Sequence, residues 1–220
     1  MTNLKTLINS RFQLLTYMAL SMMLSGFLLL LRVKLNQSFY YLFLVWNLFL
    51  AFIPFCMTLY LKSKTRITKT KLLAYFTIWL LFLPNAPYII TDLLHFKRST
   101  STFLWLDILM VTSFTINGLV LFHLTLLDME TLLRKFISIK KTNFLFLFVF
   151  FLTGFGMYLG RFLRFNSWDI LQHPDLLINN IWEIISNPNQ HFEAWTFTFC
   201  FGVFLGLTYK VVKTLKQTNF

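Results

Sequence analysis

Two short polar stretches in an otherwise apolar chain contain most of the side chains that could do chemistry. In the stretch FLPNAPYIITDLLHF, Asp92 and His95 lie three residues apart, and in GRFLRFNSWDILQHPDL, Asp169 and His173 lie four apart. Residues three or four apart share one face of a helix. Each stretch therefore predicts a carboxylate beside an imidazole.

A metal site is one interpretation of these pairs. Asp92, His95, Asp169 and His173 would supply two carboxylates and two imidazoles, which are ligands for Zn²⁺ or Mn²⁺. Such a metal could activate water against an ester or a phosphate, as in a membrane-embedded hydrolase or transferase acting on an envelope substrate. The patterns are short and match often by chance, and two nearby arginines would repel a cation.

Binding of an anion is a second interpretation, because Arg161 and Arg164 lie three residues apart and point to one side of a helix. Arginine forks match phosphate and carboxylate groups. The ligand would be a lipid headgroup, a wall precursor or a transported solute, and the last of these makes a small-solute transporter a further alternative. The candidate binding residues are Asn85, Asp92, His95, Arg161, Arg164, Asn166, Trp168 and Asp169.

A third interpretation is structural. Ionisable groups at membrane depth must find partners, and Arg161 and Arg164 would pair with Asp92, Asp107 or Asp169 to hold helix ends together. The sequence contains no P-loop, nucleotide fingerprint, serine-nucleophile elbow or cysteine metal cluster, so it identifies no reaction.

The composition indicates that lipid is the solvent around these stretches. Of 220 residues, 57% are hydrophobic and only 13% are charged, whereas a soluble domain carries about 25% charged residues. The net charge of +12 resides in short segments between apolar runs, a distribution that favours membrane orientation over nucleic-acid binding. Cys56 and Cys200 lie inside apolar runs, and no disulfide is expected.

Six segments have roughly the 20 apolar residues that a helix needs to cross a bilayer. The fold class predicted is an all-α polytopic helical bundle, forming one transmembrane domain over residues 1–220. The predicted spans are Leu14–Leu31, Phe39–Leu61, Leu72–Ile90, Phe103–Leu127, Phe144–Gly160 and Ala194–Val212.

Basic residues predict the orientation of these spans. Fourteen of the 20 lysines and arginines lie in the N-terminal tail, the second and fourth connections and the C-terminal tail. The positive-inside rule then places both termini in the cytoplasm. Six of the eight acidic residues fall on the outer side, so the polar centre is expected to face outward.

The third predicted span is interrupted at membrane depth by Pro84, Asn85 and Pro87. Each proline removes a backbone donor and frees a carbonyl one turn back, which Asn85 could satisfy. The interruption is either a kink patched by Asn85 or a break that opens an outward polar pocket. Ala86, before a proline, is expected to leave helical geometry, and Thr91 or Asp92 to cap a short helix afterwards.

The long connection after the fifth span predicts short helices at the membrane surface. Asn166 or Ser167 could cap a turn that begins near Asp169. Residues 175–186 are amphipathic, which predicts a helix in the outer interface anchored by Trp182. Its apolar stripe consists of Leu177, Ile181, Ile184 and Ile185.

The stretches FLPNAPYIITDLLHF and GRFLRFNSWDIL resemble the two signature stretches of the bacterial membrane-protein family catalogued as domain of unknown function 1361 (DUF1361). The resemblance extends from the second predicted span through the sixth. It implies an integral membrane protein of a bacterial envelope. It implies no activity and assigns no catalytic residue.

Small and polar residues inside the spans predict helix contacts. The pairs Gly156/Gly160 and Gly202/Gly206 allow close packing of spans five and six, within one chain or through self-association. Asn47, Asn117 and His123 are expected to hydrogen-bond across helices.

Overall fold

The computed structural model describes residues 4–98 and 103–218, without the side chains of Leu4 and residues 95–98. Every element in these ranges is helical, as the sequence predicts. The elements in chain order are α1 (Leu4–Ser10), α2 (Phe12–Asn36), the 3-10 helix η1 (Tyr40–Leu42), α3 (Phe43–Ser63), α4 (Lys69–Phe82), α5 (Asn85–Tyr88), the 3-10 helix η2 (Ile89–Arg98), α6 (Leu104–Leu133), α7 (Ile139–Phe162), α8 (Asp169–Gln172), α9 (Pro174–Ser186) and α10 (Phe192–Thr218).

Six helical segments in the described ranges are long and apolar enough to cross a membrane, which confirms the predicted spans. They are longer than the apolar runs alone, because charged and polar residues continue the helices beyond them. The segments are Phe12–Asn36, Tyr40–Ser63, Lys69–Leu94, Leu104–Leu133, Ile139–Phe162 and Phe192–Thr218.

The chain groups into two compact units, residues 1–135 and 136–220. Unit 1 contains α1 to α6, and unit 2 contains α7 to α10. The expectation of a single domain over the whole chain stays a prediction, and each unit is described by itself.

Unit 1 is organised around α6, which packs against α2, α3, α5 and η2. Its apolar side chains Leu106, Met110, Leu121 and Leu126 are completely buried. Polar and charged residues of the same helix are buried as well, which a lipid environment permits only when they are paired. The helices that pack against α6 must therefore supply partners for its buried polar groups.

The interruption of span three is a continuous bend. Leu83 N donates to Trp79 O at 2.8 Å, and Tyr88 N donates to Pro84 O at 3.0 Å. In a regular helix Ala86 N would donate to Phe82 O, but here it donates to Leu83 O at 3.2 Å. The Phe82 carbonyl accepts a hydrogen bond from Asn85 Nδ2 at 2.9 Å instead. The patching role predicted for Asn85 is confirmed.

Two local expectations about this bend are wrong. Ala86 lies inside the helical turn α5, because bonds on either side hold it there despite Pro87. Thr91 and Asp92 lie within η2 and cap no new helix. The Thr91 hydroxyl instead donates to Tyr88 O at 2.7 Å.

The bend rests directly on a glycine of α6. A Cβ at Gly118 would lie 2.4 Å from the backbone oxygen of Ala86 and 3.0 Å from Ile89 Cδ1. A backbone atom cannot move aside as a flexible side chain does. Gly118 is therefore the position that lets α6 approach the irregular part of span three.

Unit 2 is a close pair formed by α7 and α10, which confirms the predicted contact of spans five and six within one chain. A Cβ at Gly154 would lie 2.8 Å from Thr198 O, and one at Gly202 would lie 2.8 Å from Phe151 Cδ1. The sequence named Gly202 and Gly206 but missed Gly154. Self-association through glycine pairs stays a prediction.

Replacing Gly118 with alanine tests the contact between α6 and the bend. We expect Gly118→Ala to lower the free energy of unfolding by about 1–3 kcal/mol, the usual cost of overpacking. Thermal unfolding of the purified protein in detergent measures it. Gly26→Ala is the matched control, because a Cβ at Gly26 meets nothing within 4 Å. Alanine favours helix over glycine by about 1 kcal/mol, so the control Tm should hold or rise. Equal Tm values for the two variants would contradict the contact.

Candidate functional site

One end of unit 1 is closed by a buried ion pair between α2 and α6. Both Nε and Nη2 of Arg32 donate to the Asp107 carboxylate, Nη2 at 3.2 Å. The Tyr41 ring centroid lies 5.5 Å from Arg32 Cζ. With its amide oxygen turned towards the guanidinium, Asn36 accepts from Arg32 at 2.6 and 3.1 Å. We call this end of unit 1 the Asp107 end.

Sequence reasoning missed this pair. It treated Arg32 only as a cation of a connection and considered Arg161 and Arg164 as partners for Asp107. A signal was present, since Arg32 ends one span and Asp107 begins another on the same predicted side. Oppositely charged residues at the same depth are natural partners in lipid.

Asp92 lies at the same end of unit 1 and is nearly completely buried. Its Oδ2 accepts from Asn47 Nδ2 of α3 at 3.0 Å. The predicted role of Asn47 across helices is thus confirmed. The His95 side chain lies outside the described residues, so its pairing with Asp92 stays a prediction.

The opposite end of unit 1, which we call the Asp128 end, holds a second buried carboxylate. Arg11 donates from Nη1 and Nη2 to Asp128 at 2.7 and 2.6 Å, and Lys62 Nζ donates at 2.8 Å. The sequence placed Asp128 in a connection, but α6 continues to Leu133 and buries it. Asp128 thus joins α6 to the start of α2 and the end of α3.

Hydroxyl and amide groups connect the helices between these two ends. Asn117 Nδ2 donates to Ser25 Oγ of α2 at 2.9 Å, as its predicted role requires. The Thr125 hydroxyl accepts from Trp79 Nε1 at 2.8 Å and donates to Pro54 O at 2.9 Å. His123 Nδ1 lies 2.6 Å from Leu119 O of its own helix.

The second polar stretch begins where α7 ends. Arg161 lies in the last turn, and Arg164 adopts a left-handed backbone with φ of 61°. Phe165 N donates to Leu159 O at 3.1 Å and closes the helix end. Left-handed residues often end helices, but glycine or asparagine usually occupies the position.

Asp169 organises the turn that follows. Its Oδ2 accepts from Asn166 N at 2.6 Å. The expected capping by Asn166 or Ser167 is wrong, because Trp168 precedes α8 and makes no side-chain cap. The acid reaches back to the backbone instead.

Arg164 follows the end of α7 in the second polar stretch. Its side chain is exposed, and among the described residues no carboxylate lies within 4 Å of its guanidinium. Asp169, five residues later, is buried and satisfied by the backbone of Asn166. The Arg164 guanidinium is therefore exposed and has no carboxylate partner among the described residues.

The metal interpretation stays a prediction. Within residues 4–98 and 103–218 no group of three His, Cys, Asp or Glu side chains is placed to hold an ion, and the His95 side chain lies outside that description. His173 is exposed, and its backbone N donates to Asp169 O at 2.8 Å.

These features define an all-α polytopic membrane protein in which side chains of neighbouring helices bond to the buried carboxylates Asp92, Asp107 and Asp128 of unit 1. The family described as protein of unknown function (DUF1361) matches residues 46–208, so the chain belongs to that family. No curated protein and no solved structure matches the chain. The match covers the second to sixth spans, as the resemblance of the two stretches indicated.

Removing one partner of the Arg32–Asp107 pair tests its structural role. Asp107→Ala leaves a buried guanidinium without its carboxylate, and we expect a loss of about 3–5 kcal/mol in the free energy of unfolding. The double variant Arg32→Met/Asp107→Leu removes both charges and should recover most of the lost Tm.

Lys34→Ala is the control for this experiment, because Lys34 is exposed in the same helix. It should change the free energy of unfolding by at most about 0.5 kcal/mol. If the double variant is as unstable as Asp107→Ala, the loss of unfolding free energy comes from packing and not from the unpaired charge.

Proposed function

We propose that the protein resides in a bacterial inner membrane with both termini in the cytoplasm and binds an anionic envelope or lipid-type ligand at the end of α7. Arg164 carries the proposal. It is exposed, it has no carboxylate within 4 Å among the described residues, and it has an unusual backbone conformation. Non-glycine residues in sparsely populated conformations often occur at functional sites.

The chemistry of the site favours a phosphate or carboxylate. A guanidinium donates two parallel hydrogen bonds to either group. Arg161, Asn166 and Trp168 belong to the same segment, and Asn166 and Trp168 are candidates for the remaining contacts. Because Asp169 is already bonded to the Asn166 backbone, an incoming anion would not have to displace it.

The polar groups of unit 1 support a structural role rather than a shared binding site. Arg32, Asp107, Asp92 and Asp128 each have a partner in their own unit. Removing such a partner costs several kcal/mol in a buried environment. We assign Asn85 to the same structural group, because its amide satisfies the Phe82 carbonyl.

Three substitutions at Arg164 separate its side chain from its backbone. Arg164→Gly accepts the left-handed conformation and removes the guanidinium, so we expect an unchanged or higher Tm. Charge-assisted hydrogen bonds contribute about 1.5–3 kcal/mol, so binding should weaken about 10- to 100-fold. Arg164→Lys should retain part of the affinity, and Arg164→Ala should lose affinity at a nearly unchanged Tm, because alanine and arginine both place a Cβ in the left-handed conformation.

Native mass spectrometry of the detergent-purified protein, titrated with phosphatidylglycerol or phosphatidylcholine, measures this affinity. Lys140→Ala, at an exposed cation in the first turn of α7, is the matched control. Competition by inorganic phosphate would identify a small soluble anion, whereas preference for phosphatidylglycerol without such competition would identify a lipid. Equal binding by Arg164→Gly and the parent would contradict the proposal.

Cysteine labelling tests the proposed orientation. In a background with Cys56 and Cys200 replaced by alanine, Asn179→Cys and Thr65→Cys introduce thiols at exposed positions. A membrane-impermeant maleimide should label position 179 in intact cells and position 65 only after lysis. The reverse labelling pattern would show that the orientation is the opposite of the one proposed. Labelling of both positions in intact cells would also contradict the proposed orientation.

A further inference from the structure

Helix α9 has an inward side that attaches it to the rest of unit 2. Ile184 is 2% exposed and packs with Tyr158 of α7 and Ala194 of α10. Trp195 Nε1 donates to Ile184 O at 3.3 Å. The helix is therefore held against the ends of α7 and α10.

A second side of α9 is apolar and exposed. Ile178, Trp182 and Ile185 are 60%, 69% and 51% exposed, and their spacing of four and three residues puts them on one face. Water would disfavour three such large side chains on 13 residues. The apolar stripe predicted from the sequence therefore does not lie on one side of α9. Its member Ile184 is buried inside unit 2, whereas its member Ile185 belongs to the exposed side.

The third side of α9 is polar. Asp175, Asn179 and Glu183 recur every four residues and are exposed. Glu183 Oε1 lies 3.8 Å from His191 Nε2. Adjacent apolar and polar sides are typical of a helix that lies in the plane of a membrane surface.

The length and connections of α9 fix its depth. Its 13 residues extend for about 20 Å, too short to cross a hydrocarbon core of about 30 Å. It connects to α7 and α10, both long enough to span a membrane. Phe162 at the end of α7 and Phe192 at the start of α10 are themselves exposed apolar side chains.

We propose that α9 is an in-plane membrane helix whose Ile178–Trp182–Ile185 face is inserted into the lipid layer at the level of the headgroups and upper acyl chains. Asp175, Asn179 and Glu183 face the water. The occupant of the apolar face is lipid, because α9 packs against two helices that are long enough to span a membrane and because the face carries the tryptophan typical of membrane interfaces. The inference does not depend on the ligand proposed for Arg164.

Spin-label accessibility along α9 tests this arrangement. Nitroxides are placed singly at positions 175, 178, 179, 182, 183 and 185 in the full chain lacking Cys56 and Cys200. The protein is reconstituted into vesicles of phosphatidylcholine and phosphatidylglycerol in a 3:1 ratio. Collisions with oxygen should dominate at 178, 182 and 185, and collisions with a water-soluble nickel chelate should dominate at 175, 179 and 183.

Two results would overturn the proposal. High nickel accessibility at 178, 182 and 185 would place the face in water. Low accessibility to both reagents, with dipolar broadening between copies, would show that a second copy of the chain covers it.

A measurement without labels guards against disturbed folding. Brominated phosphatidylcholine quenches tryptophan fluorescence, and the difference between the parent and Trp182→Phe isolates the emission of Trp182. Quenching of that emission should be stronger with bromines at carbons 6 and 7 than at carbons 11 and 12. Absence of quenching, or stronger quenching by the deeper bromines, would contradict the proposed depth.

Discussion

A charge inside a lipid layer has to be neutralised by a partner, and this requirement governs unit 1. Helix α6 carries Asp107 near one end and Asp128 near the other, and basic residues of neighbouring helices bond to both. The basic partners at the two ends of α2 follow the opposite order along the chain. The earlier one, Arg11, bonds to the later acid Asp128, and the later one, Arg32, bonds to the earlier acid Asp107. The charges thereby fix α2 antiparallel to α6, with Ser25 and Asn117 bonded between them.

The irregular part of span three is stabilised in two ways. Asn85 supplies a donor that the backbone lacks, and Gly118 provides the space in which the bend packs. Both contacts contribute, because an unsatisfied carbonyl and a poorly packed bend are both costly in lipid. The signature stretch around Asn85 thus receives a structural explanation, whereas the stretch around Arg164 receives only part of one. That difference is why the proposed ligand site lies in unit 2.

The sequence could predict the spans because a minimum number of apolar residues is needed to cross a bilayer. It could also predict the bond of Asn85, since nearby prolines disturb the local backbone. The sequence put Arg32 and Asp107 on the same predicted side of the membrane, but it could not single out this pair, because the two residues are 75 residues apart and meet only through helix packing. Gly154 was missed for a related reason: its importance depends on which face of α7 meets α10. The left-handed Arg164 had no signal either, because arginine is not typical of that conformation.

The spacing of Asp107 and Asp128 along α6 has a further consequence. A rise of 1.5 Å per residue separates them by about 32 Å, close to the thickness of a bilayer's hydrocarbon core. The two paired carboxylates therefore lie near the two boundaries of a hydrocarbon core of that thickness. A thicker bilayer would draw one of the ion pairs into the acyl chains, and a thinner one would leave apolar side chains wet. Such hydrophobic mismatch costs fractions of a kcal/mol per Å, so the spacing favours a membrane whose hydrocarbon core is about as thick as the distance between the two carboxylates.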